Sequence, residues 1–179
     1  MPYYTRKGDE GFSGLIGEGR FAKSDLIFDA IGEVDELNSA IGVALHYTHD
    51  DMVRSQLKEI QNELFIVGAS VASLQNSKVA KSKLSDGAVT RLEEAIDDMD
   101  RRVPEAKKFV IPGGCEAAVH LHLARAIARR AERRVVAASE KHKIGANLKS
   151  YMNRLSSYLF VAALYLNYTE GIKETHPTY

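Results

Sequence analysis

The chain has 179 residues, of which 45% are hydrophobic and 27% are charged, the proportions of one ordinary globular domain. Lysine plus arginine and aspartate plus glutamate both number 24, so the formal net charge is zero and a nucleic-acid-coating protein is disfavoured. The single cysteine excludes an intrachain disulfide and a thiolate metal cluster. With no apolar run of membrane length, this composition indicates a cytoplasmic protein with no membrane partner.

Residues 1–23 are predicted to form a glycine-rich leader. The stretch YTRKGDEGFSGLIGEG at 4–19 is rich in glycine, which permits positive φ angles and close backbone approach. Exposed N–H groups beside Arg6 and Lys7 favour an anion-binding loop, although the pattern is neither a P-loop nor a dinucleotide fingerprint. A flexible N-terminal arm is the alternative interpretation.

Residues 24–168 are predicted to form amphipathic helices, because apolar residues recur at steps of three and four. The predicted helices cover about 24–47, 53–74, 89–103, 114–141 and 148–166. Ser85 is the predicted N-cap of the third helix, and the alanine-rich fourth helix is expected in the centre or at a subunit contact. Strand signals are limited to 109–111, and 75–84 is predicted to be a mobile loop.

These lengths and short connections predict one all-α domain over 1–179, an antiparallel five-helix bundle with a C-terminal tail at 169–179.

The fourth predicted helix carries a cluster of arginines over 125–134. Helical spacing places Arg125, Arg129, Glu132 and Arg133 on one stripe, beside alanines that leave room for a ligand. Arginine suits a polyphosphate because its guanidinium is permanently charged and binds oxygen atoms in pairs. The alternative is a solvated basic face that acids on another helix partly neutralise.

Asp35 and Glu36 are predicted to lie in the middle of the first helix among apolar residues. An unpaired carboxylate is costly in such a place, so both need partners and Arg125 is the obvious candidate. A metal site is not expected, because His120 and His122 point to different faces and the Glu-x-x-His pairs of a di-iron bundle are missing.

Several motifs occur together in a recognisable order: TRKGDEGFS at 5–13, GEVDELN at 32–38, FVIPGG at 109–114, RRAER at 129–133 and NRLS at 153–156. In this order and at these separations they cover nearly the whole chain. The sequence resembles the ATP:corrinoid adenosyltransferases of the propanediol-utilisation type.

The resemblance implies a ferritin-like five-helix bundle that forms a homotrimer, with ATP and cob(I)alamin bound at each subunit contact. The implied reaction transfers the 5′-deoxyadenosyl group of ATP to cobalt, releases triphosphate and forms adenosylcobalamin, the coenzyme B12. Mg²⁺ would be held mainly through the ATP phosphates, and a corrinoid reductase is a candidate partner. The implied ATP-binding residues are Thr5, Arg6, Lys7, Gly8, Ser13, Gly14, Lys23, Arg129, Arg130, Glu132, Arg133 and Asn153.

The resemblance also implies roles in catalysis for Arg125, Asp35 and Phe109, beside Arg129. Arg125 would pair with Asp35 of the partner subunit, and Phe109 would lie on the lower face of the corrin ring. There it would displace the lower axial ligand and leave four-coordinate Co(II), which is easier to reduce.

Two positions depart from the family pattern. Ser157 follows NRLS where the family commonly has aspartate, and Lys7 stands where many members have threonine. A non-catalytic helical oligomerisation or interaction module is the alternative function, and RNA binding through 125–134 is a third.

Overall fold

The computed structural model describes residues 3–4, 6–17, 19–73, 83–105, 108–142 and 144–179. Five helices follow one another in this part of the chain: Leu26–Tyr47 (α1), Asp51–Ala72 (α2), Ala88–Asp100 (α3), Glu116–Ala138 (α4) and Ala146–Thr169 (α5). A two-stranded antiparallel sheet of Phe12–Gly14 (β1) and Arg20–Ala22 (β2) precedes them. The predicted five-helix architecture is confirmed, whereas Leu74 and most of the predicted loop at 75–84 lie outside the described residues.

Contacts between side chains fix the directions of the helices. Tyr47 stacks on His120 with ring centroids 4.9 Å apart, and Arg130, farther along α4, binds Glu33, which is earlier in α1. Helices α1 and α4 are therefore antiparallel. Polar pairs orient α2 against α1 and α5 against α4 and α2 in the same way: Asn38 with Gln61, Asn153 with Glu132, and Tyr158 with Gln56.

The core contains the apolar stripes that the helical period predicts. The stripe of α2 is buried along its length, at Val53, Leu57, Ile60, Leu64, Val67 and Val71. Helix α4 packs against both α1 and α5, as expected for a central helix, and its alanines allow the close approach. The buried alanines are Ala117, Ala118, Ala124, Ala128, Ala131 and Ala138.

Several helices begin or end at residues other than the predicted ones, and local hydrogen bonds explain some of these differences. Helix α1 begins at Leu26 because the Asp25 carboxylate accepts the Ile27 N–H at 3.0 Å. The prediction of Ser85 as N-cap of α3 is wrong, since Gly87 takes that place and the Ser85 hydroxyl accepts from Arg91. Helix α3 also stops at Asp100, before the predicted end at 103.

The β1–β2 hairpin is not predicted by the sequence pattern. Its strands have three residues each, too few for an alternating pattern to be visible. The turn contains Gly17 and Gly19 with φ angles of 137° and 115°, which side-chain-bearing residues rarely adopt. The Ile16 N–H donates to the Ala72 carbonyl at 2.9 Å, so the hairpin docks against the end of α2.

Candidate functional site

Three basic and two acidic side chains of the leader line a cavity of about 560 Å³. Its lining is Arg6, Lys7, Asp9, Glu10 and Arg20. The Arg20 guanidinium donates to the Lys7 carbonyl at 2.7 Å, so β2 holds the loop that precedes β1. Arg6 has a φ of 59°, a left-handed conformation that costs a non-glycine residue roughly 1–2 kcal/mol and that clusters at functional sites.

The other predicted leader residues lie around the same loop. The Lys23 ammonium sits so close to Gly8 that a Cβ there would approach its Nζ to 3.0 Å. The Lys23 N–H donates to the Gly11 carbonyl at 2.8 Å, while Ser13 and Gly14 lie on β1. Thr5 is outside the described residues, so its predicted role has no structural counterpart here.

A second cavity, of about 230 Å³ and open to solvent, lies over Arg129, Glu132, Arg133 and Val136 on the surface of α4. Asn153 of α5 joins this group, because its Nδ2 donates to Glu132 Oε1 at 2.8 Å. Arg129 and Arg133 are exposed, and neither makes an ion pair with any residue that the structure describes. The structure thus brings predicted residues from two helices together and leaves two guanidinium charges available.

Arg154 is a member of this group that the sequence analysis did not assign. Its guanidinium donates to Asn153 Oδ1 at 2.9 Å and to Glu93 Oε1 at 2.7 Å. Because Oδ1 accepts from Arg154, the Asn153 amide nitrogen faces Glu132. The NRLS motif contains Arg154, but its position off the apolar stripe of α5 is typical of a solvated side chain.

Arg130 and Arg134 differ from Arg129, because acids on α1 already neutralise them. Arg130 donates to Glu36 at 2.5 Å and to Glu33 at 2.6 and 2.8 Å. The hydrogen bonds that Arg130 donates to Glu36 and then to Glu33 raise the pKa of Arg130. Arg134 lies 3.6 Å from Asp29. These two arginines therefore have the acidic partners on another helix that the interpretation as a partly neutralised basic face expects.

Asp35 and Arg125 do not pair within the described part of the chain. The expectation that Asp35 and Glu36 lie among apolar residues is wrong, since both are exposed between the buried Val34 and Leu37. The Arg125 guanidinium lies 5.0 Å from the ring centroid of Phe160. Burial, and then the charge of Arg129, lower the pKa of Arg125.

Phe109 is the most exposed large apolar side chain of the loop before α4, at 79%. Its backbone is fixed, since His176 Nδ1 lies 2.9 Å from the Phe109 carbonyl and the Ile111 N–H donates to Thr175 at 2.7 Å. The predicted apolar stretch at 109–111 forms one isolated bridge, at Ile111, and no sheet. An exposed aromatic ring on a held backbone is available to pack against a ligand.

Within the described ranges, no group of three or more histidine, cysteine, aspartate or glutamate side chains is arranged to hold a metal ion. His120 stacks on Tyr47, whereas His122 is buried beside Phe160, so the two rings point apart as predicted. Burial lowers the pKa of His122. None of the described helices has the length and apolar character needed to cross a membrane.

Comparisons with known proteins give one consistent result. The model of the cobalamin adenosyltransferase family matches residues 3–166. Corrinoid adenosyltransferase of Bacillus subtilis is 43% identical over 176 residues, which covers 96% of this chain and 90% of the relative. Corrinoid adenosyltransferase MMAB of Mus musculus is 38% identical over 177 residues, or 96% of this chain and 75% of the relative.

The fold gives the same result as the sequence. A variant PduO-type ATP:corrinoid adenosyltransferase from Lactobacillus reuteri, solved with cobalamin and ATP, superposes with a TM-score of 0.94 at 36% identity. The match covers 99% of this chain and 100% of that one. A second variant from the same organism, complexed with ATP, has a TM-score of 0.91 at 37% identity. The chain belongs to the cobalamin adenosyltransferase family.

Proposed function

We propose that the chain transfers the 5′-deoxyadenosyl group of ATP to the cobalt of cob(I)alamin, with release of triphosphate. The observation that carries this function is the fold-wide match to an adenosyltransferase solved with both cobalamin and ATP. A non-catalytic interaction module would need neither the unpaired arginines of α4 nor the glycine-rich leader with its basic side chains. The catalytic function is therefore favoured over that alternative.

The triphosphate is assigned to the two groups of cationic side chains. Arg129 and Arg133 offer charges without ion-pair partners in the described residues, and Glu132, which lines the same cavity, accepts a hydrogen bond from Asn153. Arg6, Lys7 and Lys23 supply the charge of the leader, together with the loop around Gly8, Ser13 and Gly14. Thr5 keeps its predicted place at the phosphates by resemblance. Arg130 contributes at the edge of this site by holding α4 against α1.

A second copy of the chain completes the site in this proposal. The leader cavity and the α4 cavity share no lining residue, and no hydrogen bond or ion pair between described residues joins them. Arg125 and Asp35 likewise have no mutual contact within one chain, so Arg125 is assigned to Asp35 of the partner subunit. A homotrimer satisfies both requirements by a repeated head-to-tail contact.

An exposed apolar face supports this assembly. Side chains of α1 and α4 that remain about half exposed are Val43, Val119, Leu123 and Val136. The Tyr47–His120 stack places Val43 near the level of Leu123 on the antiparallel neighbour. Val119 and Leu123 lie one turn apart on the same side of α4, and exposed apolar surface of this kind is typical of a contact between proteins.

The transfer reaction does not need a general base. Cob(I)alamin is a strong nucleophile, so its cobalt attacks C5′ of ATP directly, the Co–C5′ bond forms and the C5′–O bond breaks. The electron pair leaves with the triphosphate, whose charge the arginines and lysines balance. The rigid helical wall of α4 and α5 orients the reactants, and Phe109 occupies the lower face of the corrin ring.

In this proposal Mg²⁺ binds together with ATP, mainly through the phosphates and without a dedicated set of protein ligands. The described residues offer no cluster of three or more metal-binding side chains, and Mg²⁺ commonly binds through substrate phosphates and water. It supplies neutralisation of phosphate charge. We also propose that the protein is cytoplasmic and that a corrinoid reductase supplies the electron.

The test is an anaerobic incubation of the protein with ATP, Mg²⁺ and chemically reduced cobalamin, followed by absorption spectroscopy. The expected result is conversion of the Co(I) spectrum to that of adenosylcobalamin, with release of one triphosphate for each cobalamin converted. A Co(I) spectrum that persists at the rate of a protein-free control would contradict the function.

A further inference from the structure

Asn167 of α5 connects the Phe109 loop to the C-terminal tail. Its side chain is only 1% exposed, yet all of its hydrogen-bonding groups have partners. Asn167 Oδ1 accepts the Cys115 N–H at 3.0 Å, where α4 begins. Asn167 Nδ2 donates to the Gly113 carbonyl at 3.1 Å and to Glu174 Oε1 at 3.0 Å. One buried amide thus joins the loop, the start of α4 and the tail.

The glycine at position 114 is what permits this close approach. Gly114 has a φ of 113°, and a Cβ on it would overlap the side-chain amide of Asn167. The contact with Asn167 leaves no room for a side chain at position 114, and the positive φ there also favours glycine. These two constraints explain the second glycine of the PGG sequence at 112–114.

The tail holds the other half of the same loop. The Ile111 N–H donates to the Thr175 carbonyl at 2.7 Å, and His176 Nδ1 donates to the Phe109 carbonyl at 2.9 Å. The Ile172 N–H donates to the Asn167 carbonyl at 2.8 Å, which turns the tail back toward the loop. The backbone on both sides of Pro112 is therefore fixed through Asn167 or through residues that Asn167 positions.

We propose that Asn167 is a positioning residue for Phe109, and that it acts through the 113–115 turn and the 174–176 segment of the tail. This inference rests on the proposed function, because it assigns Phe109 to the lower face of the corrinoid. A ring that must fill the space of a displaced axial ligand has to be placed to well within 1 Å, and the amide supplies that placement.

The test compares Asn167→Ala and His176→Ala with the wild-type protein, bound to ATP and cob(II)alamin. The amount of four-coordinate Co(II) is read by electron paramagnetic resonance, and ATP affinity is measured in parallel. In Asn167→Ala we expect the four-coordinate signal to fall roughly tenfold while ATP affinity is unchanged. His176→Ala, which lies outside the helices and leaves the core intact, should lower the signal in the same direction.

A matched control is Asn38→Ala, which removes another buried asparagine that bonds Gln61 between α1 and α2, away from the loop. It should leave the four-coordinate signal unchanged. In a Phe109→Ala background, Asn167→Ala should cause no further loss of turnover, since both changes remove the same effect. Hydrogen exchange of the Ile111 and Cys115 amides should accelerate in Asn167→Ala.

Two outcomes would overturn the positioning role: an undiminished four-coordinate signal in folded Asn167→Ala and His176→Ala, or losses of turnover that add in the Phe109→Ala background. A wild-type protein that forms no adenosylcobalamin would instead contradict the proposed function. The two failures are therefore distinguishable.

Discussion

At the scale of single residues, the arginines of α4 separate into two kinds. Arg130 and Arg134 are paired with carboxylates of α1, whereas Arg129 and Arg133 have no ion pair among the described residues. The sequence pattern alone does not distinguish the arginines that have carboxylate partners from those that do not. The positions of Glu33, Glu36 and Asp29 on the facing helix decide which guanidinium groups are free for a phosphate.

We predict that Arg129→Ala weakens ATP binding and turnover, because a hydrogen bond to a charged phosphate contributes on the order of 1.5–3 kcal/mol. That energy corresponds to a loss of roughly tenfold to a hundredfold in affinity. Arg134→Ala is the matched control, as it removes an exposed arginine of the same helix that pairs with Asp29. Calorimetry should find near-wild-type ATP affinity for the control; equal losses in both variants would contradict the assignment.

Phe109→Ala should abolish most of the four-coordinate Co(II) signal, since alanine leaves the lower face of the corrin ring open to water or the axial base. Phe109 is 79% exposed, so its removal leaves no cavity in the core and protein stability should not change. Thermal unfolding checks stability, and electron paramagnetic resonance checks the cobalt. A full signal in Phe109→Ala would disprove the role of the ring.

At the scale of helices, the period of the apolar residues predicts the helices and their buried faces, but it does not predict which polar side chains are buried. The apolar stripes of α2 and α5 are continuous, so the helices and most of the buried residues follow from sequence alone. Residues such as Glu63 and Asn167 do not follow, because a buried polar side chain is defined by its partners. Glu63 is buried, pairs with the exposed Arg91 and accepts from Tyr151 at 2.8 Å, so its partners come from two other helices.

The candidate site, too, can be predicted from the sequence only in part. Its charged residues are visible as motifs, but the contact by which Arg154 of the NRLS motif orients Asn153 is not, since it depends on how α5 faces α3 and α4. The hairpin is also invisible, because three-residue strands carry too little alternation.

The Asp25 cap of α1 gives a pH-dependent prediction. The hydrogen bond from the Ile27 N–H, followed by the bond to His142, lowers the pKa of Asp25. Because the folded pKa lies below the unfolded value of about 3.9, the stabilisation is present above that value and is lost as pH falls through the folded pKa. Asp25→Ala should lower the free energy of unfolding by about 1 kcal/mol at pH 7.

Urea denaturation at several pH values measures this difference, which should shrink below pH 4 or so as the carboxylate of the wild-type protein becomes protonated. Asp25→Asn is the control, since asparagine caps a helix comparably without titrating. A difference between wild type and Asp25→Ala that stays constant into strong acid would show that the charge of Asp25 does not contribute.

At the scale of the whole molecule, the proposed site requires more than one copy of the chain. Asp35 is exposed, Arg125 is half-buried against Phe160, and the leader and α4 cavities are separate within one chain. Each of these features is explained if neighbouring subunits complete each other's sites.

Reversal of charge at the proposed contact tests the assembly. Asp35→Arg should reduce the trimer population or the turnover, because it places like charges together, and the double variant Asp35→Arg with Arg125→Asp should restore the lost property. Light scattering after size-exclusion chromatography reports the oligomer. Normal trimers with normal turnover in the single variant would argue against this pair.

The central claim, adenosyl transfer at a site built from two subunits, is tested most directly by mixing two inactive variants. One carries Arg6→Ala and Lys7→Ala in the leader, and the other carries Arg129→Ala and Arg133→Ala in α4. Co-expressed in equal amounts, random trimers should recover about a quarter of wild-type adenosylcobalamin formation, since one contact in four then joins an intact leader to an intact α4. Mixed trimers that form and stay as inactive as either parent would contradict the account.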